Sequence, residues 1–224
     1  IRDLIVTGVQ TCALPISDAT FMRMKDDHMK NGQLKAGYNL QASTNEQFIT
    51  HYSVHQNPAD TLTLQPHLEG YRAQLGQYPE KQTADAGYGS EENYAYLEEK
   101  GVEAFVKYNY FHKEQKASFQ QKNPFHPNQL YYNPEQDHFI CPMGQVMRKV
   151  GTTQRKTTSG FIQELTRYQA QNCQGCPLRG ACHRSKDNRV IQVNHPLNRY
   201  KEQAREKLHS EEGIKRRKKR ACEV

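Results

Sequence analysis

Three groups of residues in this 224-residue chain have the type and spacing to do chemistry. The first is Cys141, Cys173, Cys176 and Cys182, spaced C-x31-C-x2-C-x5-C. Thiolates are soft ligands, and four of them close a tetrahedral zinc site at about 2.3 Å. A C-x2-C pair on a turn presents both sulfurs to one ion, and the stretch between the cysteines suits the β-hairpin of a zinc ribbon. The outer two cysteines lack C-x2-C spacing, so ordinary structural thiols and a redox pair at Cys173 and Cys176 stay open beside zinc. His183 could substitute as a ligand, but the four-cysteine set is preferred. Cys222 reads as a free thiol. The second group centres on Asp85, at the tip of a strand and followed by AGYGS. A carboxylate there, beside glycines that admit a phosphate or another backbone, suits a divalent cation; the plain alternative is a turn or cap residue. The third is the run Lys215, Arg216, Arg217, Lys218, Lys219 and Arg220. It suits phosphate contacts, against the alternative of a solvated, disordered charge run.

Composition limits what these groups can serve. Lys plus Arg number 31 against 24 Asp plus Glu, a net charge of +7, which points to an anionic partner with nucleic acid the first candidate. Only 35% of residues are hydrophobic, so part of the chain must be surface-rich. No apolar run long enough for a membrane span occurs, and no secretory signal favours disulfides. Residues 1–16 (IRDLIVTGVQTCALPI) read as a sequencing-adapter artefact outside the fold, which removes Cys12 from the thiol count. With the first methionine at Met22 and no terminating element before Val224, the chain reads as an internal fragment.

Elements must then position the three groups. Residues 18–35 are polar and read as a loop. YNLQAS (38–43) and FITHYSV (48–54) read as strands around a turn at Asn45-Glu46. Asp60 can cap a helix over 61–75 with Leu64, Leu68, Tyr71 and Leu75 on one face. A strand over 82–85, a helix capped by Ser90 and ended by Gly101, and a strand over 102–106 follow. The order β-β-α-β-α-β predicts an α/β (mixed α+β) class with a mixed sheet flanked by helices. Residues 109–135 read as linker, 136–193 as short strands carrying the four cysteines, and 197–210 as a charged helix. Arg148, Lys149, Arg155 and Lys156 form a second basic cluster. Tyr108, Tyr110, Phe111, Phe119 and Phe125 alternate with lysines, for packing in preference to base stacking.

GYNLQ (37–41), NPAD (57–60), TADAGYGSEENYAYLEEKGVEAFV (83–106) and the CPMG…CQGCPLRGAC pattern together resemble bacterial insertion-sequence transposases with a DDE catalytic domain, of the branch carrying a cysteine-rich insertion. The resemblance spans residues 17–224. It implies an RNase H-like fold: a partial catalytic core over 17–108, a small β-rich, zinc-ribbon-like insertion over 109–193, and a basic helix over 194–224 leading back to the core. It implies DNA strand cleavage and transfer in transposition, with Mg2+ (or Mn2+) held by two aspartates and a glutamate, Zn2+ in the insertion, and DNA ends and target DNA as partners. A homodimer and a cytoplasmic, nucleoid-associated location are further implications. Asp85 matches the second catalytic aspartate. Asp18 is left unassigned, and Glu223 falls two positions before the expected glutamate. On this reading the chain carries one of three catalytic carboxylates and is inactive alone. The alternatives are a non-catalytic, zinc-containing nucleic-acid-binding module and an inactive pseudogene product.

Overall fold

The computed structural model describes residues 18–23, 32–122 and 124–223; the adapter-like segment 1–16 lies outside them. The segment expected as a loop after residue 18 instead pairs two strands, β1 (Thr20–Arg23) and β2 (Leu34–Gly37), in antiparallel register. Backbone pairing carries this hairpin, since its side chains show no clean alternation in the sequence. β3 (Asn39–Asn45) and β4 (Phe48–His55) form the expected hairpin. The turn falls one residue later, on Glu46 and Gln47, both at positive φ (51° and 71°), the geometry that matches the right-handed twist of the strands.

The helix expected from residue 61 begins later. Asp60–Leu62 is a 3-10 turn, and α1 runs Leu64–Leu75, ended by Gly76 in the left-handed region. Leu64 and Leu68 of its anticipated face are buried, while Leu75 is exposed. β5 (Lys81–Ala84), α2 (Glu91–Glu99) and β6 (Glu103–Val106) follow as the sequence predicts. Ser90 Oγ accepts the Asn93 amide at 3.2 Å, and Glu91 and Glu92 occupy the first turn, where the helix dipole favours negative charge. β5 and β6 pair in parallel through α2, a connection that needs such a crossover. The four strands β3 to β6 make two separate pairs among the described residues, not the single mixed sheet anticipated.

The stretch read as linker contains α3 (Phe111–Glu114), α4 (Ala117–Lys122) and a 3-10 turn at Pro127–Gln129. Tyr108 and Phe111 are buried there, so packing accounts for these two aromatics. β7 (Tyr132–Asn133), β8 (His138–Ile140), β9 (Val146–Lys156), β10 (Ile162–Ala170) and β11 (Val190–Val193) form one antiparallel sheet in the order β11-β10-β9-β8-β7, with α5 (Arg179–Cys182) before the last strand. Then α6 (His195–His209) is capped by Asn194, and α7 (Glu211–Glu223) turns back toward the first half.

Two apolar cores result. One joins Leu68, Leu97, Val106 and Phe111 to Tyr200, Ala204 and Leu208 of α6, so the C-terminal helix completes the core begun by β5, α2 and β6. The other gathers Phe139, Met147, Tyr168, Ile191 and Val193 on the five-stranded sheet. Each fully buried Leu contributes about 1.5–3 kcal/mol. Glu91, itself buried, ties the two: its Oε2 accepts Asn194 Nδ2 at 2.6 Å and Gln163 Nε2 at 3.0 Å. The class is therefore mixed α and β with several sheets.

Candidate functional site

Parallel pairing brings the first site together. Because β5 and β6 run the same way, with Ala84 opposite Val106, the residues just past them emerge on one edge. Those residues are Asp85 and Lys107, whose Nζ and Oδ1 lie 3.3 Å apart. The crevice at the carboxyl ends of parallel strands is where open α/β sheets place ligands. Asp85 starts the 3-10 turn Ala86–Tyr88 without capping it, so its half-exposed carboxylate faces outward.

A third partner comes from far along the chain. Arg220 Nη1 lies 2.7 Å from Asp85 Oδ1. α7 reaches this edge because Lys81 of β5 bridges Glu212 at 2.7 Å and Arg216 stacks over the Phe105 ring at 5.1 Å. The basic run is thus one helix with two faces. Arg216, Arg217 and Arg220 turn toward the body, and Lys215, Lys218 and Lys219 are exposed. Arg217 lies over Phe111 at 5.5 Å, and Lys219 approaches Glu46 at 4.0 Å. This corrects the picture of a disordered, uniformly solvated run: i, i+3, i+4 spacing puts Arg216, Arg217 and Arg220 on one stripe, and guanidiniums stack on aromatic faces.

The sequence reading missed a second carboxylate. Asp60, expected to cap a helix, accepts Asn39 Nδ2 at 3.0 Å and Gln41 Nε2 at 3.2 Å from β3. It lies against the Asp85 turn so closely that a Cβ on Gly87 would sit 2.9 Å from its Oδ2. Gln41 accepts the Tyr88 hydroxyl, closing a network from β3 to that turn. Burial, followed by the charges of Asp60 and Asp85, pushes the Tyr88 phenol up to about 12. It therefore stays a neutral donor at physiological pH. No local spacing signals Asp60; only the fold brings it within reach. Burial first, then Lys107 and Arg217, lowers the His112 pKa, keeping the ring neutral in this basic setting. Glu223 is the last residue of α7, and its side chain lies outside the described residues. Asp18, left unassigned in the sequence, accepts hydrogen bonds from Tyr38 and Gln56.

The four cysteines converge elsewhere. Cys141, Cys173, Cys176 and Cys182 line one small cavity at the end of the β9–β10 hairpin, with His183 and Arg189. The Met147–Ala170 pairing brings the loop before β9 beside the loop after β10, which closes the 31-residue gap. All four are free thiols, as is exposed Cys222. Among the described residues, no three His, Cys, Asp or Glu side chains are grouped closely enough to hold a metal ion, here or around Asp85. Burial, then Arg179 and Arg189, lowers the His183 pKa. In the second basic cluster, Lys149 bridges Asp137 at 3.4 Å and Arg155 and Lys156 are exposed on β9.

No helix among the described residues is long and apolar enough to cross a membrane. Comparison with curated proteins and with solved structures gave no match. Residues 140–224 match the family described as Transposase DDE domain, a span that takes in the five-stranded sheet from β8 onward, the cysteine cavity, α6 and α7. Over that span, somewhat more than a third of its length, the chain is similar to the DDE transposases.

Proposed function

We propose that this chain is the part of a DDE transposase that grips DNA beside a catalytic aspartate, with Asp85 as that aspartate and α7 as a backbone-contacting helix. The observation that carries the reading is the Arg220–Asp85 pair at 2.7 Å. It joins a helix inside the family match to an aspartate outside it. By family the function is transposition-related, the chemistry is DNA strand cleavage and transfer, and DNA is the substrate. A cytoplasmic, nucleoid-associated location follows from that role.

The RNase H-like reading rests on the family resemblance and on the helices packed around the β5–β6 pair, since β3–β4 and β5–β6 are separate pairs and not one mixed sheet. The β3–β4 and β5–β6 pairs flank the Asp60–Asp85 network, and α1, α2 and α6 pack around them. The division into a core at 17–108, an insertion at 109–193 and return helices at 194–224 is part of this reading; α6 completes the first apolar core, and Phe111, at the start of the insertion, packs into that core as well.

DDE transposases typically use divalent ions, Mg2+ or Mn2+. The residues around Asp85 do not fit such an ion as arranged: its carboxylate is paired with Lys107 and Arg220, and the described residues group no further ligands beside it. What this chain's residues do here is hold charge. Lys107 and Arg220 pair with the Asp85 carboxylate, while Lys215, Lys218 and Lys219 offer phosphate contacts on the exposed face of α7. No DNA cleavage is expected from the chain alone.

The test is duplex DNA binding by the full chain across a salt series. Neutralising three phosphates gives a slope contribution of about −0.9 each. The triple substitution Lys215→Ala, Lys218→Ala, Lys219→Ala should therefore flatten the plot of log affinity against log salt by about 3. Absence of binding at low salt, or an unchanged slope in the variant, would reject the reading. A non-catalytic zinc module would bind equally well after that substitution, through the exposed basic residues of β9.

A further inference from the structure

We propose that Lys107, Arg217 and Arg220 form a phosphate pocket at the Asp85 edge, which the Asp85 carboxylate fills as an internal stand-in until a DNA backbone phosphate displaces it. The inference rests on the reading of this edge as DNA-facing, and it gives the inward arginines of α7 a ligand of their own.

Charge is the first argument. Lys107 Nζ and Arg220 Nη1 converge on the same oxygen, Asp85 Oδ1, at 3.3 Å and 2.7 Å. One carboxylate oxygen thus serves two cations. Asp60, the neighbouring acid, is taken up by the side-chain amides of Asn39 and Gln41. More positive charge stands close by. Burial lowers the His112 pKa first, then Lys107, Arg217 and Lys116, while Asp85 alone raises it. The cluster is therefore short of anions. A phosphodiester, with one negative charge shared by two free oxygens, offers these cations the same kind of acceptor as the carboxylate.

A donor without an acceptor is the second. Arg217 Nε is buried and makes no hydrogen bond, while its guanidinium lies over the Phe111 ring at 5.5 Å. A buried N–H left unpaired is unfavourable, and a planar guanidinium presents its donors to phosphate oxygens in pairs. Arg217 and Arg220 share one face of α7, because residues three apart are neighbours on a helix.

Access is the third. The Asp85 side chain is 47% exposed, against 19% for Lys107 and 28% for Arg220. The carboxylate is thus the outer member of the cluster, and it covers cations that are largely withdrawn from solvent. Rotating it aside opens them without moving the backbone. The backbone is fixed here by Gly89, where a Cβ would sit 2.3 Å from Lys107 O, so Lys107 is held beside the Asp85 turn. In the exchange a phosphate oxygen takes the place of Asp85 Oδ1 between Lys107 and Arg220, and the carboxylate passes to solvent. No covalent bond changes.

The test has two arms, both on the full chain. In the first, duplex DNA affinity is measured at one low salt concentration. Asp85→Asn removes the competitor. Partly exposed ion pairs are worth a factor of about two to five each, so this variant should bind DNA about fivefold more tightly. The same change made together with Lys107→Gln and Arg220→Gln should give no gain over those two alone. An equal gain there would mean that Asp85 merely repels DNA, and an Asp85→Asn chain that binds no tighter would mean that it covers nothing; either result overturns the pocket. In the second arm inorganic phosphate is titrated into the isotope-labelled chain at constant ionic strength, without DNA, and followed by NMR. The Arg217 and Arg220 Nε signals, assigned by their Gln variants, should shift saturably, and at lower phosphate in Asp85→Asn than in the wild-type chain. Signals that stay in place in both chains overturn the pocket whatever the DNA result. Saturable shifts in a chain that binds no DNA would reject DNA as the ligand. A fivefold gain that persists when Lys215, Lys218 and Lys219 prove to have no part in the salt dependence would reject the outward grip and keep the pocket.

Discussion

Gly89→Ala tests whether the Asp85 turn is held by direct backbone contact with Lys107 and Tyr108, just past β6. A Cβ at Gly89 would lie 2.3 Å from Lys107 O and 2.7 Å from Tyr108 Cα. Carbon contacts settle near about 3.5 Å, so the two segments must part by roughly 1 Å. Both are backbone, so neither can rotate away. The separation strains Asn93, whose Nδ2 donates to Tyr88 O at 2.9 Å and to Thr61 O at 2.9 Å, and it pulls Asp85 from Lys107. Overpacking of this kind costs about 1–3 kcal/mol. With a urea dependence of about 2 kcal/mol per molar, the unfolding midpoint should fall by about 1 M. Gly180→Ala is the matched control: its Cβ meets nothing within 4 Å and its backbone is helical. That change should leave the midpoint level or raise it by up to about 1 kcal/mol equivalent. A midpoint for Gly89→Ala equal to that of Gly180→Ala would refute the close packing of this turn on Lys107 and Tyr108.

Two further outcomes follow from burial. His67 is 5% exposed between Ser43 and Ser53, whose hydroxyls meet its two ring nitrogens at 2.7 Å and 2.6 Å. Burial first, then His51 and His55, lowers its pKa from 6.5 to about 4. The unfolded chain therefore binds the proton more readily, and stability should fall as pH drops from 6.5 toward 4, by up to about 3 kcal/mol. Urea midpoints that stay flat across that interval would contradict this. Leu68→Ala, at a fully buried position, should cost about 2–5 kcal/mol, whereas Leu75→Ala on the same helix, 46% exposed, should stay within about 0.5 kcal/mol. Equal thermal shifts for the two would mean that α1 packs differently.

The legible parts of this fold are those whose signals are local. Ser90, Glu91, Glu92 and Gly101 mark both ends of α2, and alternation around Val102, Ala104 and Val106 marks β6. The β3–β4 hairpin was legible to within one residue of its turn. Legibility failed where long-range packing decides. The charge run in α7 hides an amphipathic helix, because its inward stripe is Arg216, Arg217 and Arg220 and not apolar residues; their guanidiniums lie over Phe105 and Phe111 or pair with Asp85. Asp60 carries the mark of a cap, yet its carboxylate is taken by Asn39 and Gln41 of a distant strand. The cysteine spacing announced a set but not the hairpin register that assembles it. The turn after Asp85 was legible in its glycines, while its third partner, 135 positions on, was not.

The central claim, that α7 and Asp85 share one DNA-facing edge, is tested most directly by lysine footprinting. The full chain is acetylated with and without duplex DNA at low salt, and each lysine is quantified by mass spectrometry. The account predicts that DNA protects Lys215, Lys218, Lys219 and Lys107, leaving Lys149 and Lys156 of β9 modified as in the free chain. Protection confined to Lys149 and Lys156, with the α7 lysines labelled equally in both samples, would contradict it.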